Sequence, residues 1–160
     1  MSYRSDVLAD RLLRGANGLA ELASTLTTAE WQTPIPGDGR TVGVVVHPVA
    51  SVYPIEIELA QILAGGKPVE GVTMADVHAM NAKHAAEHRT AGREEAVALL
   101  RENSAAAALA IRTLDSSSLD AAAPASLYGG APITCQFMLE DHAVRHSYHH
   151  TAKIKAALGR

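Results

Sequence analysis

The chain has 160 residues, a formal charge of −3, a single cysteine and few aromatics. That length suits one domain over 1–160 with a real core, and scattered Lys and Arg do not make the concentrated basic face that nucleic acid requires. The opening "MSYRSDVLADRLL" puts charges where a secretory signal needs an apolar stretch, and no apolar run is expected to reach membrane-spanning length; with no nucleic-acid or membrane partner and no internal disulfide available, a cytoplasmic protein is the expectation, with Cys135 as a small buried apolar residue.

From Ser5 to about Leu26, the residues Leu8, Leu12, Leu19, Leu22 and Leu26 recur at helical spacing, with Ser5 or Asp6 available as the cap. The next stretch, "TTAEWQTPIPGDGR", is too rich in Pro and Gly to continue that helix. It reads as a long ordered loop with Trp31 plugging one end of the core. A second helix starts near Thr41 and stops at Gly65 and Gly66, with a kink where Pro48 and Pro54 each delete a backbone donor. A strand over 42–46 leading to a helix from Pro48 is the alternative. A third helix opens near Thr73 and runs to Leu114, carrying Val77, Met80, Val97 and Leu100. The segment "DSSSLDAAAPASLYGGAP" breaks it, and Pro132 is placed for the first turn of a fourth helix ending near Leu158. Amphipathic helices, little strand signal and long inter-helix connections predict an all-α four-helix bundle.

The fourth helix contains "EDHAVRHSYHHTAKI", with histidines at 142, 146, 149 and 150. Imidazole is the commonest nitrogen ligand of metals and titrates near neutrality. Advancing about 100° per residue from Ile133 gathers Phe137, Val144, Ile154 and Leu158 into one apolar arc, with His150 inside its edge and His146 one step further round. Residues four apart are neighbours on a helix, so His146 and His150 form a two-nitrogen clamp. His142, His146 and His150 together climb roughly 12 Å, too far for bonds of about 2 Å to reach one ion. His142 is therefore expected to orient a ligand, and His149 to face solvent.

A third ligand must come from another helix. His47 is the candidate, because a polar ring inside "VGVVVHPVA" needs a partner. The plainer reading makes it a core histidine bonded to a carbonyl that Pro48 or Pro54 leaves free. His84 and His88 repeat the four-residue spacing and compete for the metal role, but the small and charged residues of "NAKHAAEHRT" read as a partly solvated face. Glu56, Glu58, Glu140 and Asp141 are available as acceptors behind the ligands or as a general base.

The histidine in "TVGVVVHPVASVYPIE", the closing pattern "HAVRHSYHHTAKI" and the order of elements over nearly the whole chain resemble the DinB-like superfamily, which includes mycothiol-dependent maleylpyruvate isomerases and bacillithiol transferases. The resemblance implies a four-helix bundle of DinB-like type that holds a divalent metal, nickel or zinc. Its ligands would be one histidine of the second helix and two, four residues apart, of the last: His47, His146 and His150. His142 matches the family's histidine one turn earlier, and His149 with His150 its double histidine, whereas Thr151, Ala152 and Lys153 stand where many relatives continue with Arg-Gly-Gln. The resemblance further implies a metal-dependent thiol S-transferase or isomerase, with a low-molecular-weight thiol such as mycothiol or bacillithiol presented to a small electrophile, and a homodimer. The alternative is a non-catalytic bundle, metal-stabilised or metal-free, with a stress-linked or interaction role.

Overall fold

The computed structural model describes residues 2–160. Helix α1 (Tyr3–Thr25) buries Leu8, Leu12 and Leu19, the stripe its spacing predicts. Its cap lies further upstream than expected: Ser2 accepts from the Ser5 amide, and Ser5, buried at the third helical position, returns a bond from the Ser2 amide. The segment expected to be pure loop contains a short helix, α2 (Thr28–Trp31), closed by the same reciprocal device between Thr27 and Glu30. It seats Trp31 in the core as expected, with Nε1 donating to the Ala91 carbonyl at 3.2 Å.

Helix α3 (Val42–Ala64) is capped by Thr41 and is continuous through both prolines, so the strand alternative for 42–46 is wrong. Every residue from Val42 to His47 is buried, which is why the run is apolar on all sides rather than alternating. Pro54 deletes the donor that the Ala50 carbonyl would use, and Asn103 replaces it with its side-chain amide at 2.9 Å. By length and composition α3 is long and apolar enough to cross a membrane, against the expectation from sequence; 67% of its apolar window is buried inside the protein.

The expected third helix is two. Helix α4 (Met74–Glu87) starts at a Thr73–Asp76 capping box and has no buried residue, and α5 (Arg93–Arg112) starts after Gly92 with Glu94 and Glu95 in its first turn, where the helix dipole favours them. α4 packs on α3, and α5 packs on both α1 and α3. Beyond the short helix α6 (Ser116–Asp120), strands β1 (Ala122–Pro124) and β2 (Pro132–Thr134) pair antiparallel with Ala123 opposite Ile133. Pro132 thus belongs to a strand instead of a helical first turn. Hydrogen bonds of 2.9 Å from Val69 to Pro124 and from Ser126 to Val69 tie the hairpin to the segment preceding α4.

The last helix begins at Thr134, whose side chain accepts from the Phe137 amide, and runs through α7 (Cys135–Met138), a π-helical segment (Leu139–Val144) and α8 (Arg145–Ala157). In the π segment the Arg145 amide reaches the Glu140 carbonyl five residues back. Two assumptions of the helical projection therefore fail: its origin, Ile133, lies in a strand, and the wide turn resets the register further along. Phe137 is 44% exposed, whereas Met138, Leu139, Ala143, Val144 and Ile154 form the buried side. With α1, α3 and α5 this composite helix completes a four-helix bundle around a core that includes Leu12, Leu19, Tyr53, Leu63, Leu100 and Ile111.

Candidate metal centre

A cleft of about 900 Å³ opens where α3, α4, the π segment and α8 meet. That size falls in the range of small-molecule sites. Val52, Ile55, Leu59, Val72, Val77 and Met80 supply apolar lining, while Glu56, His84, His142, His146 and His150 bring polar groups to it.

His47 is buried on α3, only 4% exposed, and its ring meets two others from α4. Its Nδ1 lies 3.0 Å from His84 Nε2, and the His88 ring stacks on both, with centroids 4.1 Å from His47 and 4.3 Å from His84. One ligating atom from each of the three falls within 4.8 Å of the others. His84 and His88 are partly exposed, as expected, and the last turn of α4 also sets their rings against His47. The four-residue spacing was the available signal for this pair. The plainer reading of His47 fails in its detail: the Ala50 carbonyl released by Pro54 is taken by Asn103, and the partner of His47 is another imidazole.

On α8, His146 and His150 stand as neighbours with ring centroids 5.0 Å apart, the clamp that their spacing predicts. Nδ1 of His146 is 2.8 Å from Oε1 of Glu56, a carboxylate buried on α3. Donation to the carboxylate fixes the proton on Nδ1 and leaves Nε2 as the ring's free lone pair, the arrangement that commonly orients a metal-binding histidine. Nδ1 of His150 and Oε2 of Glu56 are buried without a hydrogen-bond partner, as is Nδ1 of His84. Such orphans are costly unless something else satisfies them. One turn earlier, Tyr128 donates to Asp141 at 2.6 Å and lies 2.8 Å from His142 Nε2, so His142 is held by a side-chain network at the cleft edge. His149 is exposed, as expected. Of the other acceptors singled out from the sequence, Glu140 pairs with Arg11 at 2.7 Å and Glu58 is exposed.

Burial sets the protonation of this cluster. Desolvation, with His146 alongside, pushes His150 down to about 3, and desolvation with His88 and His47 alongside pushes His84 down to about 4. Desolvation also lowers His47, helped by His88, and lowers His142. These rings are neutral at pH 7, the form that can bind a metal. At the rim, the carboxyl of Asp38 is held below the usual range by its hydrogen bond to Arg40, with Lys153 3.8 Å away.

No family model and no curated protein matches the chain. Among solved structures it is similar to YfiT from Bacillus subtilis, described as a probable metal-dependent hydrolase with an unusual four-helix bundle topology; the match covers 98% of this chain and 87% of that one, at 21% identity and a TM-score of 0.78. The chain shares that fold. The all-α four-helix bundle expected from sequence is thus the one found, and at this identity the similarity carries the architecture alone.

Proposed function

We propose that this chain is a divalent-metal enzyme that holds nickel or zinc on His47, His146 and His150 and acts on a small molecule in the cleft. The observation that carries this reading is the Glu56–His146–His150 constellation: an oriented imidazole, a second neutral imidazole beside it with an unpartnered buried nitrogen, and a buried carboxylate oxygen with no donor. A cation accounts for all three. The constellation itself supplies two nitrogens, and the resemblance supplies His47 as the third; three nitrogen ligands with an open position are the donor set of a catalytic ion. The metal-dependent description of YfiT supports the same reading.

A divalent ion bound there would supply Lewis acidity, lowering the pKa of a thiol or a water bound to it. The remaining roles belong to the chain. Glu56 keeps the proton of His146 on Nδ1, so that the ring faces the site with a lone pair. The Tyr128–Asp141–His142 network can hold or pass a proton at the edge of the cleft. The apolar lining excludes water from one side and favours a substrate with a hydrocarbon or aromatic part.

By its resemblance to thiol-using relatives, the nucleophile is a low-molecular-weight thiol, consumed in S-transfer to an electrophile. Hydrolysis is the second reading, favoured by the description of YfiT. Zinc-loaded protein incubated with an activated aryl electrophile separates the two: electrophile loss that requires added thiol supports transfer, and loss without thiol supports hydrolysis. Either activity should disappear in His150→Ala. Folded native protein that binds no divalent ion contradicts the proposal.

A further inference from the structure

We propose that His84 and His88 of α4 form, with His47, a second seat for a divalent cation, used in alternation with the seat on α8, and that α4 is the arm through which the ion is loaded. The inference rests on the reading above and extends it to residues for which that reading has no use.

Two observations and one premise of the reading above carry it. First, the donor set is complete: three imidazoles from two helices offer nitrogens within 4.8 Å of one another. Two nitrogens each about 2.0–2.1 Å from a tetrahedral ion lie about 3.3 Å apart, and the His47–His84 pair is already at 3.0 Å. Second, the element carrying His84 and His88 is able to adjust. α4 has no buried residue and follows a segment with Gly71 in the left-handed region, so drawing its last turn inward disturbs little packing. Third, the reading above also gives His47 to the α8 seat, which makes it common to both. A neutral imidazole has one lone pair, its other nitrogen being an N–H donor, so His47 serves one ion at a time.

These features assign an order. His84 lines the cleft together with His146 and His150 but lies on a helix with no buried residue, and these exposed surroundings favour capture over tight retention. The α8 seat has the buried carboxylate behind it that the α4 seat lacks, since the neighbour of His84 Nε2 besides His47 is the Ser51 hydroxyl at 3.2 Å. Transfer of the His47 nitrogen from one seat to the other hands the ion to α8 and frees α4 from α3.

The test uses zinc chloride with the full chain in four forms: native, His84→Ala/His88→Ala, His150→Ala, and the triple variant. Affinity is read by competition with a chromophoric chelator and α4 mobility by tryptic cleavage at the exposed Lys83 and Arg89. Alanine on α4 removes the ring partners of the buried His47 but no residue of the apolar core, and His150→Ala leaves the Glu56–His146 bond in place; circular dichroism verifies folding of each. His150→Ala should still bind one zinc per chain, on the order of 10- to 100-fold more weakly than native, and zinc should protect Lys83 and Arg89 in it. The triple variant should lose on the order of another hundredfold or more. Equal zinc affinity in His150→Ala and the triple variant overturns the second seat, and two ions bound together in the native chain overturn the alternation. Equal affinity in native and His150→Ala, with loss in the triple variant, instead sinks the α8 assignment and leaves the α4 seat standing.

Discussion

Replacing Glu56 with Gln probes the proposed centre at the residue that sets the direction of His146. In the native chain one carboxylate oxygen accepts from His146 at 2.8 Å and the other is buried with no donor. The amide keeps an acceptor for Nδ1 but removes the negative charge that raises the basicity of the ring. Outer-shell partners of this type are worth about 10- to 100-fold in metal affinity, or about 1.4–2.8 kcal/mol. Metal-free stability should change little, because the swap keeps an acceptor for Nδ1 and exchanges one unsatisfied buried group, Oε2, for another, the amide N–H, each costing roughly 1–3 kcal/mol. Glu56→Gln is therefore expected to match the native melting temperature in chelator and to gain less from zinc, with chelator competition giving the affinity ratio directly. Unchanged zinc affinity, or a large loss of metal-free stability, refutes the reasoning: the first removes His146 from the centre, and the second makes the Glu56–His146 pair a purely structural bond.

Three other outcomes follow from the packing and the buried titratable groups. A Cβ at Gly43 would overlap the Trp31 indole, so Gly43→Ala should cost about 1–3 kcal/mol in a denaturant titration; an unchanged midpoint contradicts the close approach of α3 to that ring. Metal-free protein should lose stability as pH falls below about 6.5. His150 and His84 stay neutral in the fold down to about 3 and about 4 while the unfolded chain takes up their protons, giving at most about 1.4 kcal/mol per pH unit for each ring, and His150→Ala should flatten the slope. A pH-independent midpoint between 4 and 6.5 contradicts their burial. Cys135 is fully buried, and burial pushes its thiol up to about 11, so an aromatic disulfide reagent should label it only at the rate of unfolding. Fast labelling of native protein would place Cys135 elsewhere.

Much of the architecture was legible because α1 and α3 carry their own punctuation: a leucine stripe in one, Thr41 and the Gly65–Gly66 pair in the other. The break between α4 and α5 was missed, although Gly92 followed by Glu94 and Glu95 is a helix-start signal that the alanine-rich run around it obscured. The hairpin was hidden by its own proline, since Pro132 suits a helical first turn and an edge strand equally well by local rules. Nothing local marks the π segment, and every angle projected across it inherited the error. The site shows the same division. The His146–His150 neighbours follow from four-residue spacing and survive any register shift upstream, because both lie within α8. The contacts of His47 with His84 and His88 depend on where α4 docks, which is a tertiary outcome that sequence spacing does not contain.

The most direct measurement is anomalous diffraction at the zinc edge from crystals of zinc-loaded native protein. A single peak bonded to nitrogens of His47, His146 and His150, with Glu56 still on Nδ1 of His146, is the predicted result. A peak that touches neither imidazole of α8, or crystals grown in saturating zinc with no peak in the cleft, contradicts it.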